Sequence, residues 1–95
     1  MCQELQWMKR GIKKYRIRHG ELGYRRAMDA LSPLGREIVY AIEEGRSFDE
    51  LITDLAVREY HRGRGAEPTP AEIRPARAKF VREIARVRQV FDLKD

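Results

Sequence analysis

Metal ligation, nucleophilic attack and general acid–base chemistry each need particular side chains at particular spacings, and this 95-residue chain holds few of them. Its two histidines, His19 and His61, stand far apart, and Cys2 is its one cysteine. That set supplies neither a Cys/His metal site nor an internal disulfide. His61 reads as a cation at a helix end, where the carbonyl pole of the helix dipole favours positive charge. Ser32, Ser47 and Thr69 each precede a helical pattern and read as N-caps, which leaves none of them needed as a nucleophile. Glu43 and Glu44 are consecutive, and consecutive helix residues do not face one another, so they form no acid–base pair. The run RGRG at 62–65 is too short for a phosphate loop and lacks the Lys-Ser/Thr that would follow it. We expect a chain without enzymatic activity, cofactor or metal.

What remains is charge. The formal net charge is +5, and it is unevenly spread. Residues 1–31 carry eight Lys/Arg against three Asp/Glu, residues 32–60 three against seven, and residues 61–95 nine against five. An acidic middle thus lies between two basic flanks. If the flanks meet in the fold they make one positive surface, whose partner would be anionic: an acidic peptide or protein, nucleic acid, or acidic lipid. The plainer reading is an Arg-rich surface that only solvates the protein. No run approaches the ~20 apolar residues of a membrane span. The opening MCQELQWMKR lacks the apolar centre of a secretory signal. Both point to a cytoplasmic protein without a membrane partner.

One domain spanning 1–95 is expected at this length. Its clearest elements lie in LSPLGREIVYAIEEGRSFDELITDLA, residues 31–56. Ser32 caps and Pro33 opens a helix over 32–44, with Leu34, Ile38, Ala41 and Ile42 on one face and Gly45 as the terminating glycine. Ser47 and Glu50 form a capping box for a second helix over 47–61, whose apolar face is Leu51, Ile52, Leu55 and Ala56. Residues 62–70 read as a Pro/Gly loop. A last helix over 70–91 begins either at a capping box of Thr69 and Glu72, with Pro75 inside it, or at Pro75 itself. Ala76, Phe80, Ile84, Val87 and Phe91 form its apolar stripe, widened by Val81 and Val90. In residues 1–30, Tyr15, Ile17 and His19 alternate with Lys14, Arg16 and Arg18, which favours strands. Leu5, Met8, Ile12 and Tyr15 also fit a helical stripe, which Gly11 weakens by about 1 kcal/mol relative to Ala. Trp7 reads as core, and Tyr24 beside Arg25 and Arg26 has the mixture of a binding edge.

From about Arg16 to Leu93 the order of signals resembles the PqqD-like family of peptide chaperones and RiPP recognition elements. The resemblance rests on four features: a short basic start, the phrase ALSPLGREIVYAIEEGRSFDELITDLA, a variable Pro/Gly loop, and the closing phrase AEIRPARAKFVREIARVRQVFDL centred on Phe80–Ile84. Ser32 departs from the family's more usual Asn. The resemblance implies an α+β, winged-helix-like fold with a small antiparallel N-terminal sheet followed by three helices. It also implies a non-catalytic module that clamps an acidic leader peptide by strand addition to a sheet edge. On this chain the edge would be Tyr24–Met28 and the helix wall Arg77, Val81, Ile84 and Arg88. Val81 and Ile84 would take apolar side chains, and Arg25 or Arg26, with Arg77 and Arg88, would take carboxylates.

Two other readings compete. The paired helices also look like the first two helices of a LuxR-type or winged-helix DNA-binding regulator, with Arg74, Arg77, Lys79 and Arg82 of the last helix as contacts. The long loop before that helix departs from the usual turn of about 3–4 residues. If residues 1–30 are helical, the chain is instead a small all-α protein-interaction module, such as a phage-encoded inhibitor.

Overall fold

A computed structural model describes residues 3–60 and 68–93, and among these every regular element is a helix: α1 (Gln3–Asp29), α2 (Pro33–Glu43), α3 (Phe48–Tyr60) and α4 (Pro70–Val90). The expected α+β, winged-helix-like architecture is therefore corrected to an all-helical one. No strand occurs among the described residues, and the segment expected to form the sheet is α1. Burial decides between the two periodicities. Leu5, Met8 and Ile12 lie in the core, whereas Ile17, central to the period-2 pattern, is 76% exposed. The helical stripe buries Leu5, Met8 and Ile12 together on one side of α1, whereas the alternating pattern requires a buried Ile17.

Two glycines shape α1. Gly11 lets the chain's far end approach, because a Cβ there would stand 2.6 Å from Leu93 Cδ2. Its cost to helix propensity is offset by that close packing. Gly20 has φ 74° and ψ 178°, a conformation that only glycine adopts easily, and it breaks α1 into two helical halves. Arg16 spans the break. Its guanidinium pairs with Glu21 through Nε (2.7 Å) and Nη2 (3.0 Å), reaches Glu43 of α2 at 3.3 Å, and lies 4.0 Å over the Tyr24 ring.

The remaining helices begin where local chemistry directs. Ser32 Oγ accepts from the Gly35 N–H, and Pro33 opens α2. In α3 the Glu50 N–H donates to Ser47 Oγ and the Ser47 N–H to Glu50 Oε1, each at 3.1 Å. The same reciprocal pair, Thr69 with Glu72, opens α4, so of the two possible starts the chain uses Thr69. Pro75 then sits inside α4, where it forgoes one backbone bond to the preceding turn. The helices converge on Ile12, Val39, Ile42, Ile52, Phe80, Val87 and Phe91, with Phe48 edge-on to Phe80 at 4.6 Å.

Candidate functional site

The two basic flanks meet. The ring of Tyr15 in α1 packs edge-on against Phe91, just beyond α4, with centroids 5.0 Å apart. Tyr24 meets the same phenylalanine at 6.1 Å, and the Arg88 guanidinium lies 5.4 Å from the Trp7 ring. Each half of the positive surface is thus fixed to the other by aromatic and apolar burial, with the charges facing outward.

On α4 the outward side carries Arg74, Arg77, Val81, Arg82, Arg86 and Arg88, interleaved with the exposed Ala71, Ala78 and Ala85. It carries no carboxylate, because the two acids of α4 are engaged elsewhere. Glu72 is buried in the capping box, and Glu83 accepts a 2.8 Å hydrogen bond from Ser32 at the start of α2. No described carboxylate pairs with Arg74, Arg77 or Arg82. Lys79 is different: its Nζ bonds Glu59 of α3 at 3.0 Å, which takes it out of the set of free cations.

The peptide groove expected between Tyr24–Met28 and α4 is corrected. Tyr24 and Met28 are buried, at 8% and 4% exposure, as inward positions of the second half of α1. The Tyr24 hydroxyl donates to Glu43 at 3.0 Å, and burial foremost, then the neighbouring Glu43 charge, pushes its pKa up. Arg25 and Arg26 are exposed, and no hydrogen bond or ion pair joins them to α4 among the described residues. Ile84 is half-buried against the core, while Val81, Arg77 and Arg88 remain outside. A sheet edge to receive an added strand is absent from the described residues because the helical stripe of α1 is what buries its apolar side chains. His61 and the RGRG run lie outside the described residues.

A groove of about 530 Å³ opens where α1 runs beside residues 91–93. Trp7, Tyr15, Phe91 and Leu93 supply its apolar surface, and Arg10, Lys14, Arg18 and His19 its polar rim, with Asp92 the acid among them. His19 stacks on Tyr15 at 4.2 Å. Trp7, expected in the core, is half-buried at this groove. The stripe of Arg10, Lys14 and Arg18 was overlooked in the sequence because it has i, i+4, i+8 spacing, which shows only once the segment is read as a helix.

The acidic middle pairs with its own arginines and with both flanks, Glu43 with Arg16 of α1 and Glu59 with Lys79 of α4. Arg58 bonds both oxygens of Glu37 at 2.9 and 2.8 Å, Arg46 pairs with Asp54, and Arg36 donates to the backbone carbonyls of Met28 and Leu31. The Asp54 hydrogen bond and charge raise the Arg46 pKa. Among the described residues no cluster of His, Cys, Asp and Glu could hold a metal ion, and no helix is long and apolar enough to cross a membrane. Comparison with protein-family models, curated proteins and solved structures finds no match.

Proposed function

We propose that this chain is a non-catalytic nucleic-acid-binding module whose contact element is the outward side of α4. The observation that supports the reading is the composition of that side: arginines and small apolar residues over the whole 21-residue helix, without a carboxylate. Phosphate attracts unpaired Arg, and a helix surfaced with Ala and Val lets its axis come close to base edges and thymine methyls in a major groove. Arg74, Arg77 and Arg82 are the contacts. The acidic groove of α2 and α3 is floored by Phe80, which points to the opposite side of α4 from Ala78, so its carboxylates do not oppose the approach of a polyanion.

Fluorescence anisotropy with a random-sequence duplex tests the reading. Binding should fall steeply as salt rises from about 50 to 200 mM, and Arg74→Ala with Arg77→Ala and Arg82→Ala should lower the slope of log K against log salt by about 2–3. A wild type that ignores duplex DNA at low salt, or a triple variant with an unchanged slope, removes α4 from the interface.

An acidic peptide is the second reading, favoured by the groove beside α1. It takes the form of a segment laid into that groove and does not use strand addition.

A further inference from the structure

We propose that the groove between the first half of α1 and residues 91–93 is a separate docking site for a short acidic segment of a partner protein, one apolar or aromatic residue bracketed by Asp or Glu. The inference is independent of the reading of α4, since it uses none of the same side chains.

The charge pattern selects the occupant. Arg10, Lys14 and Arg18 follow one another at single-turn intervals, about 6 Å apart along α1. No described carboxylate pairs with any of the three. Carboxylates on alternate residues of an extended peptide, or one turn apart on a helix, repeat at nearly the same distance. Such a row of cations on a rim asks for a matching row of anions.

The floor narrows the class further. The half-buried indole of Trp7, the Tyr15 ring and Leu93 offer an apolar surface inside the cationic rim. A volume of about 530 Å³ accommodates an apolar anchor with its flanking backbone. Asp92 discriminates between polyanions. It lines the groove, and a carboxylate there repels a phosphate backbone that has no N–H to offer but can accept a hydrogen bond from a peptide N–H. A second copy of this chain is a poorer occupant, because Asp54 and Glu37 of its α2–α3 groove are already held by Arg46 and Arg58, which leaves Glu44 as that groove's one carboxylate without a described ion pair.

Trp7 is the only tryptophan, so its fluorescence reports on this groove alone. The probe is a tryptophan-free peptide of about ten residues with Glu and Asp around a central Phe, titrated into the full chain at about 150 mM salt, where distant surface charges are screened. Saturable change in Trp7 emission is expected, absent with the Glu→Gln and Asp→Asn peptide. Lys14→Gln with Arg18→Gln should weaken peptide binding at least about tenfold, while the melting midpoint stays as in wild type and duplex binding changes far less than peptide binding.

Three results overturn the inference: no saturable response to the acidic peptide, an equal response to its neutral counterpart, or emission that changes with protein concentration alone, which would mark self-association. A fourth is loss of duplex and peptide binding together in the Lys14/Arg18 variant, which would assign the groove to nucleic acid. Failure of the peptide with intact, salt-dependent duplex binding refutes only the groove. Failure of the duplex with intact peptide binding refutes only the reading of α4.

Discussion

The α2–α3 pair and the α1–α4 pair share one core but present opposite surfaces. In the first, each arginine is engaged: Arg36 on backbone carbonyls, Arg46 on Asp54, Arg58 on Glu37. In the second, Arg10, Lys14, Arg18, Arg74, Arg77 and Arg82 have no described carboxylate partner. Exposed ion pairs add little to stability. The pairs leave α2–α3 a net acidic region, whose field repels anions. The unpaired cations of α1 and α4 give the flanks the opposite field, which is the ground on which an anionic partner is proposed for them.

If the two regions share one core, breaking that core must unfold both. Phe80→Ala removes a ring that is 1% exposed and packed against Phe48 of α3. A loss of about 3–5 kcal/mol is expected, out of a total of about 5–15 kcal/mol. Denaturant melts followed by Trp7 fluorescence and by far-ultraviolet circular dichroism should shift together. A small shift, or two separated transitions, would show that the pairs are stabilised independently.

The shape of the positive region depends on the break in α1. Gly20→Ala places a Cβ on a residue at φ 74° and ψ 178°, at an expected cost of about 1–3 kcal/mol. Nothing lies within 4 Å of such a Cβ, so the cost is backbone strain and not collision. An unchanged melting midpoint would mean that α1 straightens freely and that its two halves are not held at a fixed angle.

The smallest effect concerns the closed acidic pair. Hydrogen bonds from the Ser47 backbone and side chain, foremost, hold the Glu50 pKa below its ordinary value of 4.5. A carboxylate depressed in the folded state contributes its stability above its unfolded pKa and loses it as the pH falls through the folded value. Wild-type melting midpoints should therefore decline below about pH 4.5 more steeply than those of Glu50→Gln, a difference absent near neutrality. Parallel pH profiles for the two proteins would remove Glu50 as the cap of α3.

Helix starts were the legible part of this fold. Ser32 and Ser47 with their partners three residues on are local devices, complete within one turn, so they can be read without knowing what lies around them, whereas Pro75 left the Thr69 start one of two possibilities that the structure decided. The apolar stripes of α2, α3 and α4 were equally plain. Residues 1–30 are not legible in this way, because their alternating and helical patterns overlap at Tyr15 and local pattern alone cannot rank them. The candidate interface was legible in part. Arg74, Arg77 and Arg82 stand out in the sequence, whereas Arg10, Lys14 and Arg18 align only on a helix, and that Lys79 is bonded to Glu59 of α3 shows only in the fold.

The amino-acid order alone determined the capped helices over the middle and end of the chain, the acidic centre between basic flanks, and the scarcity of catalytic groups, since these follow from residue types and contacts a few positions apart. Only the tertiary structure decided that the first segment is a broken helix and that it lies beside the end of α4. The deciding contacts, Leu93 close to Gly11 and Phe91 against Tyr15 and Tyr24, join opposite ends of the chain. Their energy comes from burying apolar surface that neither segment can cover by itself, and so no local reading could have weighed it.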